Sequence, residues 1–386
     1  MRESDRDIRE QANPRDLTRK MSQTLRDVSA PLPDIPLVDI RDGGPPLHAR
    51  QSAARARALR DSCLSFFPSP ALPLMPALDR LSRRALQRSC SPYFAEIAEI
   101  AAALDFSGVW LLNASYQWGC TSRACEDEGE AWLIRTLDWP FRGLGRHTEL
   151  AQMGGECGDF VSVTWPRYVG VLTASAPGRF AAALNQAPQW RRTRHRWLRP
   201  YDYASNALRG AASAGCMLPD QLLRYAFETC ADFAAARRLL ETTPVARPAI
   251  YTLVGVSARE RCVIERTETD FCSREDDTCA ANDWVPCRPG WEGRIGMRRF
   301  LSSSSADAAA HSRARRERLA AWNGSPAADG FGWVREPVLN PYTRLAVAMC
   351  PARGVLRVAG YDHVGDGDLP VPVSQTGGQK LASRAK

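Results

Sequence analysis

The chain has 386 residues, 44% hydrophobic and 24% charged, which is enough to bury a substantial core in one large domain or two smaller ones. Its formal charge of +8 rests mostly on arginine and fits either an acidic partner or a solvated basic exterior. No run approaches the roughly 18 to 20 apolar residues of a membrane span, and the first thirty residues contain no apolar signal core, so the cytoplasm is the expected location.

Residues 1–30 alternate charges without periodicity and read as a mobile polar tail. Residues 31–119 form an N-terminal arm and helical pro-segment. Pro31, Pro33 and Pro36 suit an extended entry, and arginine-rich amphipathic stretches at 49–60 and 78–88 flank a proline-rich break. After Pro92, the residues Phe94, Ile97, Ala98 and Ala101 share one helical face leading toward Gly119 and Cys120. Beyond Cys120 the texture turns to short β runs at 131–137, 160–165, 168–174 and 179–185. A helix over 221–241 follows, then strands at 251–256, 261–266, 343–349 and 355–359. Strands, helices and strands again describe a layered α/β (α+β) domain over 120–369 with mainly antiparallel sheets, followed by a frayed tail at 370–386.

Twelve cysteines without an export signal read as reduced thiols. Cys272, Cys279 and Cys287 are spaced by seven and eight residues, and Cys120 and Cys125 lie five apart, neither a close zinc pair, so no metal and no cofactor is expected.

The chemistry concentrates in Cys120-Thr121-Ser122 and Arg135-Thr136-Leu137-Asp138-Trp139-Pro140-Phe141. A cysteine attacks as thiolate and needs a partner that favours that form or takes its proton. None of the five histidines, His48, His147, His195, His311 and His363, sits in a motif. A histidine partner stays open, but cleavage of Gly119–Cys120 supplies another base, the new α-amine with a pKa near ~7.7 to 8.0. Arg135 and Asp138 are three apart and would face opposite ways on an unbroken strand, and a bend enforced by Pro140 would let both converge on Cys120. They read equally as a strand-end salt bridge. Asn185 and Asn282, each where a β run meets a loop, are either oxyanion donors or turn residues. The basic run Trp190 to Arg199 reads as a solvated loop or as a cleft rim favouring an anionic substrate, and nucleic-acid binding is not expected.

These words resemble the cysteine N-terminal nucleophile hydrolases, the group of acid ceramidase, N-acylethanolamine acid amidase and isopenicillin N acyltransferase, with choloylglycine hydrolase more distant. Pro33 to Asp39 looks like the family's arm, Tyr93 to Ala101 like its helix before the cut, and Asn113-Ala114-Ser115-Tyr116 like the approach to it. The resemblance implies a four-layer αββα sandwich made as a zymogen and cut before Cys120. By it, Cys120 is the nucleophile, Arg135 and Asp138 are its electrostatic partners, Asn282 is the oxyanion donor and Arg313 the later arginine. Arg294 lies at a spacing some members use for that arginine, and Asn185, Trp139 and Arg294 are expected to touch substrate. The implied activity is autocatalytic cleavage followed by hydrolysis or acyl transfer at a non-peptide C–N bond of a small N-acyl amide. Arg123 after Cys-Thr-Ser, Thr136 within the second motif and Gln186 after Asn185 depart from common members and bear on lipid preference. The other readings are a histidine-assisted cysteine hydrolase without self-cleavage and a degenerate member binding anions through its arginine-rich loops. The sequence leaves oligomeric state unspecified.

Overall fold

The computed structural model describes residues 31–377 except 66, 68, 116–118, 192–197, 199–200, 203–204, 207–214, 276–277, 286–287, 289, 294–303, 329 and 366–368. The expected tail at 1–30 and the expected site residue Arg294 lie outside the described residues, as does most of the basic run 190–199.

The N-terminal part comprises β1 (Leu37–Asp39), α1 (Gly44–Gln51), α2 (Ala53–Leu64), α3 (Met75–Arg88), α4 (Phe94–Leu104) and α5 (Val109–Ala114). The single stretch expected at 49–60 is two helices, because Pro45 and Pro46 start the first one early and the chain breaks at Ser52. Two long strands follow, β2 (Gly119–Asp127) and β3 (Glu130–Asp138). Next come β4 (Glu149–Met153), β5 (Phe160–Thr164), β6 (Thr173–Ala176), β7 (Phe180–Gln186) and the short β8 (Gln189–Trp190). The helices α6 (Pro219–Thr229) and α7 (Phe233–Thr242) precede β9 (Ala249–Val254), β10 (Arg261–Arg266), β11 (Phe271–Arg274), β12 (Cys279–Ala280) and β13 (Trp291–Glu292). The chain ends with α8 (Ser305–Ala320), β14 (Thr343–Cys350), β15 (Val355–Asp362) and β16 (Val371–Gln375).

An eight-stranded sheet runs β1-β4-β5-β6-β7-β9-β10-β11, parallel only at β1 against β4. A six-stranded antiparallel sheet runs β12-β2-β3-β14-β15-β16. Side chains alternate across each strand, so Leu133, Leu137, Leu345 and Val347 point inward and share one core with Val161, Val163, Ala181 and Ala183 of the facing sheet. On the outer face of the eight-stranded sheet, α6 and α7 bury Leu222, Leu223, Ala226 and Leu240, and Phe227 stacks on Phe160 and Phe180 with centroids 5.2 and 4.6 Å away. On the outer face of the other sheet, Leu319 of α8 packs with Ile134, Ala346 and Ala348. Each fully buried Leu, Val, Ile or Phe among these contributes ~1.5 to 3 kcal/mol. The layers are helix, sheet, sheet, helix, the αββα order expected, and Asp34–Lys386 is one compact unit.

Three local expectations need correction. Residues 168–172 are loop and the strand begins at Thr173, since the Val171 N–H is taken by Asp220 O at 2.9 Å instead of a neighbouring strand. The helix expected over 221–241 is split by Cys230 to Asp232, where Asp232 accepts the Ala235 N–H at 2.8 Å and starts a second helix. The tail expected to fray from 370 instead pairs as β16 with β15 as far as Gln375, and Pro372 is tolerated because β16 is an edge strand.

Candidate active site

The hairpin of β2 and β3 sets the site. Its two-residue turn, Glu128 and Gly129, has φ of 50° and 80°, the positive values of a type I′ turn, and pins Asp127 opposite Glu130. Counting back, Ser122 pairs with Arg135 and Cys120 with Leu137. Cys120 and Arg135 are thus diagonal neighbours on the inner face. The Arg135 Nη2 donates to Cys120 Sγ at 2.7 Å, while Nη1 donates to Leu172 O at 3.1 Å and to Thr173 Oγ1.

Cys120 is fully buried, and its sulfur also contacts Leu184 O at 3.6 Å. Burial pushes the thiol up to about 11; Asp138 adds to the rise, and Arg135, Arg315 and the Gln186 N–H oppose it. At neutral pH the sulfur is therefore a thiol. Among the described residues no histidine hydrogen-bonds it, and His48 is engaged with Glu149.

The backbone of Cys120 is gripped as well. Its N–H donates to Asn282 Oδ1 at 2.9 Å, and its carbonyl accepts from Arg315 Nη1 at 2.8 Å. Both point away from β3, so Cys120 is a non-hydrogen-bonded position opposite Leu137, and Gly119 is the residue bonded to β3. The Gly119 carbonyl therefore meets the Asp138 N–H. Gly119 is itself buried within β2.

Asp138 does not converge with Arg135 on the thiol as a bend would allow. The strand stays regular through Asp138 and the two side chains take opposite faces. Asp138 lies on the outer face under α8, where Oδ2 accepts from Arg315 Nη1 at 3.1 Å and Oδ1 from Thr343 Oγ1 at 3.0 Å.

The later arginine also needs correction. Arg313 is exposed on the solvent side of α8, and the buried arginine of that helix is Arg315. Ser312, Arg315 and Leu319 fall three and four residues apart and share the face against the sheet, a spacing visible in the sequence but passed over. Arg315 binds Cys120 O, Thr121 Oγ1 at 2.9 Å, Asp138 and, through Nη2 at 2.7 Å, Asn282 Oδ1. Ser312 Oγ accepts the Asn282 N–H and donates to Asp283 Oδ1, both at 2.7 Å, tying the asparagine loop to α8.

Asn282 is brought to Cys120, where its Oδ1 accepts the Cys120 N–H, but its Nδ2 donates to Gln186 O at 2.8 Å, so here it anchors the Cys120 backbone. Asn185 is fully buried on the inner face and donates to Ser122 Oγ at 2.9 Å. Trp139 is buried in the core, edge-on to Trp165 with centroids 5.9 Å apart. Arg315 and Thr343 are residues of this cluster that the sequence reading did not name, and Thr121 entered it only as part of the Cys120-Thr121-Ser122 motif. Among the described residues no cluster of His, Cys, Asp or Glu is arranged to hold a metal ion, and no helix is long and apolar enough to cross a membrane.

Over 185 residues the sequence is 29% identical to N-acylethanolamine-hydrolyzing acid amidase of Rattus norvegicus, covering 45% of this chain and 47% of that protein. This chain is a relative of that amidase. The resemblance expected from the two motifs is thus found by direct comparison, and the chain spans about half the length of the curated relative it matches. No family model matches. Among solved structures, the Caenorhabditis elegans ortholog of the acid amidase is 18% identical, with 60% of this chain and 93% of that one covered at a TM-score of 0.43. A mutant conjugated bile acid hydrolase from Clostridium perfringens is 10% identical, with 66% and 96% covered at a TM-score of 0.35.

Proposed function

We propose that this chain is an autoprocessing cysteine amidohydrolase or acyltransferase of the N-terminal nucleophile type, acting on a small N-acyl amide. The observation that carries the reading is that the sulfur, the N–H and the carbonyl of Cys120 each have a separate dedicated partner, Arg135, Asn282 and Arg315.

Maturation begins with Cys120 Sγ attacking the Gly119 carbonyl carbon, whose oxygen faces the Asp138 N–H. The C–N bond breaks, the thiol proton passes to the departing nitrogen, and water hydrolyses the resulting thioester to free the Gly119 carboxylate and the Cys120 thiol. The old amide nitrogen is then an α-amine beside Asn282 Oδ1, able to accept the thiol proton near neutral pH. In turnover the thiolate attacks the substrate carbonyl, the α-amine returns the proton to the leaving amine, and water or an acceptor amine takes the acyl group. Asn282 and Asn185 are retained as amide donors for the substrate oxyanion, which requires each to exchange its present acceptor. The substrate class follows the relative's name, an N-acylethanolamine or a similar amide.

Intact mass spectrometry of wild-type chain and Cys120→Ala, with release of ethanolamine from an N-acylethanolamine series, tests the reading. Fragments 1–119 and 120–386, lost together with activity in Cys120→Ala, are expected. A full-length wild-type chain with amidase activity, or an active Cys120→Ala, would sink it.

A further inference from the structure

Arg167, in the loop after β5, is 3% exposed, yet its guanidinium meets no hydrogen-bond acceptor and no ion-pair partner among the described residues. The other buried arginines differ. Arg135, Arg224, Arg266, Arg315 and Arg344 all donate to carbonyls, carboxylates or hydroxyls. A guanidinium carries five donors, and burying one unpaired is strongly unfavourable.

The carboxylates within electrostatic range are already engaged. Asp79 Oδ1 accepts the Leu111 N–H at 2.8 Å, and Asp61 pairs with Arg60 at 2.7 Å. Burial holds the Arg167 pKa below its ordinary value, with neighbouring Arg60 lowering it and Cys63, Asp79 and Asp61 opposing.

Two more cations share the place. The guanidinium carbons of Arg60, Arg57 and Arg167 lie 4.5, 5.5 and 5.6 Å from the centroid of the Phe106 ring. Attraction to one ring is modest beside the mutual repulsion of like charges, which Asp61 beside Arg60 offsets only in part, whereas an anion near them would offset more of it. Exposure is graded from exposed Arg57 through half-buried Arg60 to buried Arg167, which gives an entrance and a floor. The floor is fixed, since Asn113 Nδ2 donates to Arg167 O at 2.9 Å and Asn113 Oδ1 accepts the Val169 N–H at 2.8 Å.

We propose that Arg57, Arg60 and Arg167 form a recessed binding site for a small oxyanion, a phosphate or a carboxylate, over Phe106. None of the three arginines hydrogen-bonds Cys120, and Asn113 ties the site to α5, the helix that precedes Gly119 in the chain.

The test is calorimetric titration of the full chain with inorganic phosphate and, separately, with acetate, in chloride at about 0.15 M to screen loose surface binding. Saturable millimolar binding of at least one probe is expected, and the preferred probe distinguishes a tetrahedral from a planar anion. Binding should weaken at least tenfold in Arg57→Gln and vanish in Arg167→Met. Arg57→Gln alters an exposed side chain, so the comparison stays decisive even if Arg167→Met does not fold. No binding of either probe to the wild-type chain, or unchanged binding in Arg57→Gln, would overturn the proposal.

Discussion

Thr343 donates its hydroxyl to Asp138 Oδ1 at 3.0 Å across a register shift in the pairing of β14 with β3. Leu345 points inward, so a regular strand would turn Thr343 inward as well. The extra residue Arg344 re-aims Thr343 at the outer face, where Asp138 lies. The Asn340 N–H donates to Thr343 Oγ1 at 3.0 Å and fixes its rotor.

Thr343→Val should slow cleavage at Gly119–Cys120 roughly 10- to 100-fold, as expected for losing a hydrogen bond to a charged group of ~1.5 to 3 kcal/mol. Thr343→Ser should cleave at close to the wild-type rate. A mass-spectrometric time course reads both, and equal rates for the two variants would remove Thr343 from the mechanism.

Arg315 and Arg313 sit two residues apart on α8 and should behave oppositely. Arg315→Met leaves Asp138 buried without its cation and should cost about 3 to 5 kcal/mol of stability and abolish cleavage. Arg313→Ala, at an exposed position, should stay within about 0.5 kcal/mol and cleave normally. Urea unfolding with the cleavage assay separates them.

The Cys120 thiol is pushed from 9.0 to about 11, mainly by burial. Between those values the unfolded chain loses this proton first, so the stability present below pH 9 is lost as pH rises toward 11. Each thiol so raised adds a slope of at most ~1.4 kcal/mol per pH unit. Cys262, pushed up to about 12, acts in the same direction. Melting curves of uncut protein should fall steeply above pH 9, less so in Cys120→Ala; parallel curves would contradict the burial argument.

Glu265 is fully buried on β10, and burial raises its carboxyl from 4.5 to about 7 against the pull of Arg274, the Val285 N–H and Arg288. Folding therefore favours the neutral acid, and that contribution is lost as pH rises from 4.5 through 7. Glu265→Gln keeps an acceptor for the Val285 N–H without the charge. Its melting temperature relative to wild type should be higher at pH 8 than at pH 4.5.

Parts of the site follow local rules carried by the sequence, although the strand at 119–127 and the helix α8 were not among the expected elements. Glu128-Gly129 between two β runs fixes a register that brings Arg135 diagonal to Cys120, and α8 displays its inward face at helical spacing. The convergence expected of Arg135 and Asp138 failed because Pro140 lies beyond the strand end and leaves residues 135–138 regular. Arg313 resembles the family's later arginine by its place in the chain, whereas helical phase turns Arg315 inward and Arg313 to solvent.

By itself the sequence determined the two-residue alternation that divides Arg135 from Asp138 and the turn at Glu128-Gly129 that sets the hairpin register, since these follow from strand period and turn chemistry. Only the tertiary structure decided that Asn282 holds the Cys120 N–H, that Arg315 joins it to Asp138, and that Thr343 completes the carboxylate's partners. Those contacts link residues 162, 177 and 205 positions apart, and only the packing of α8 and β14 against one hairpin could select them.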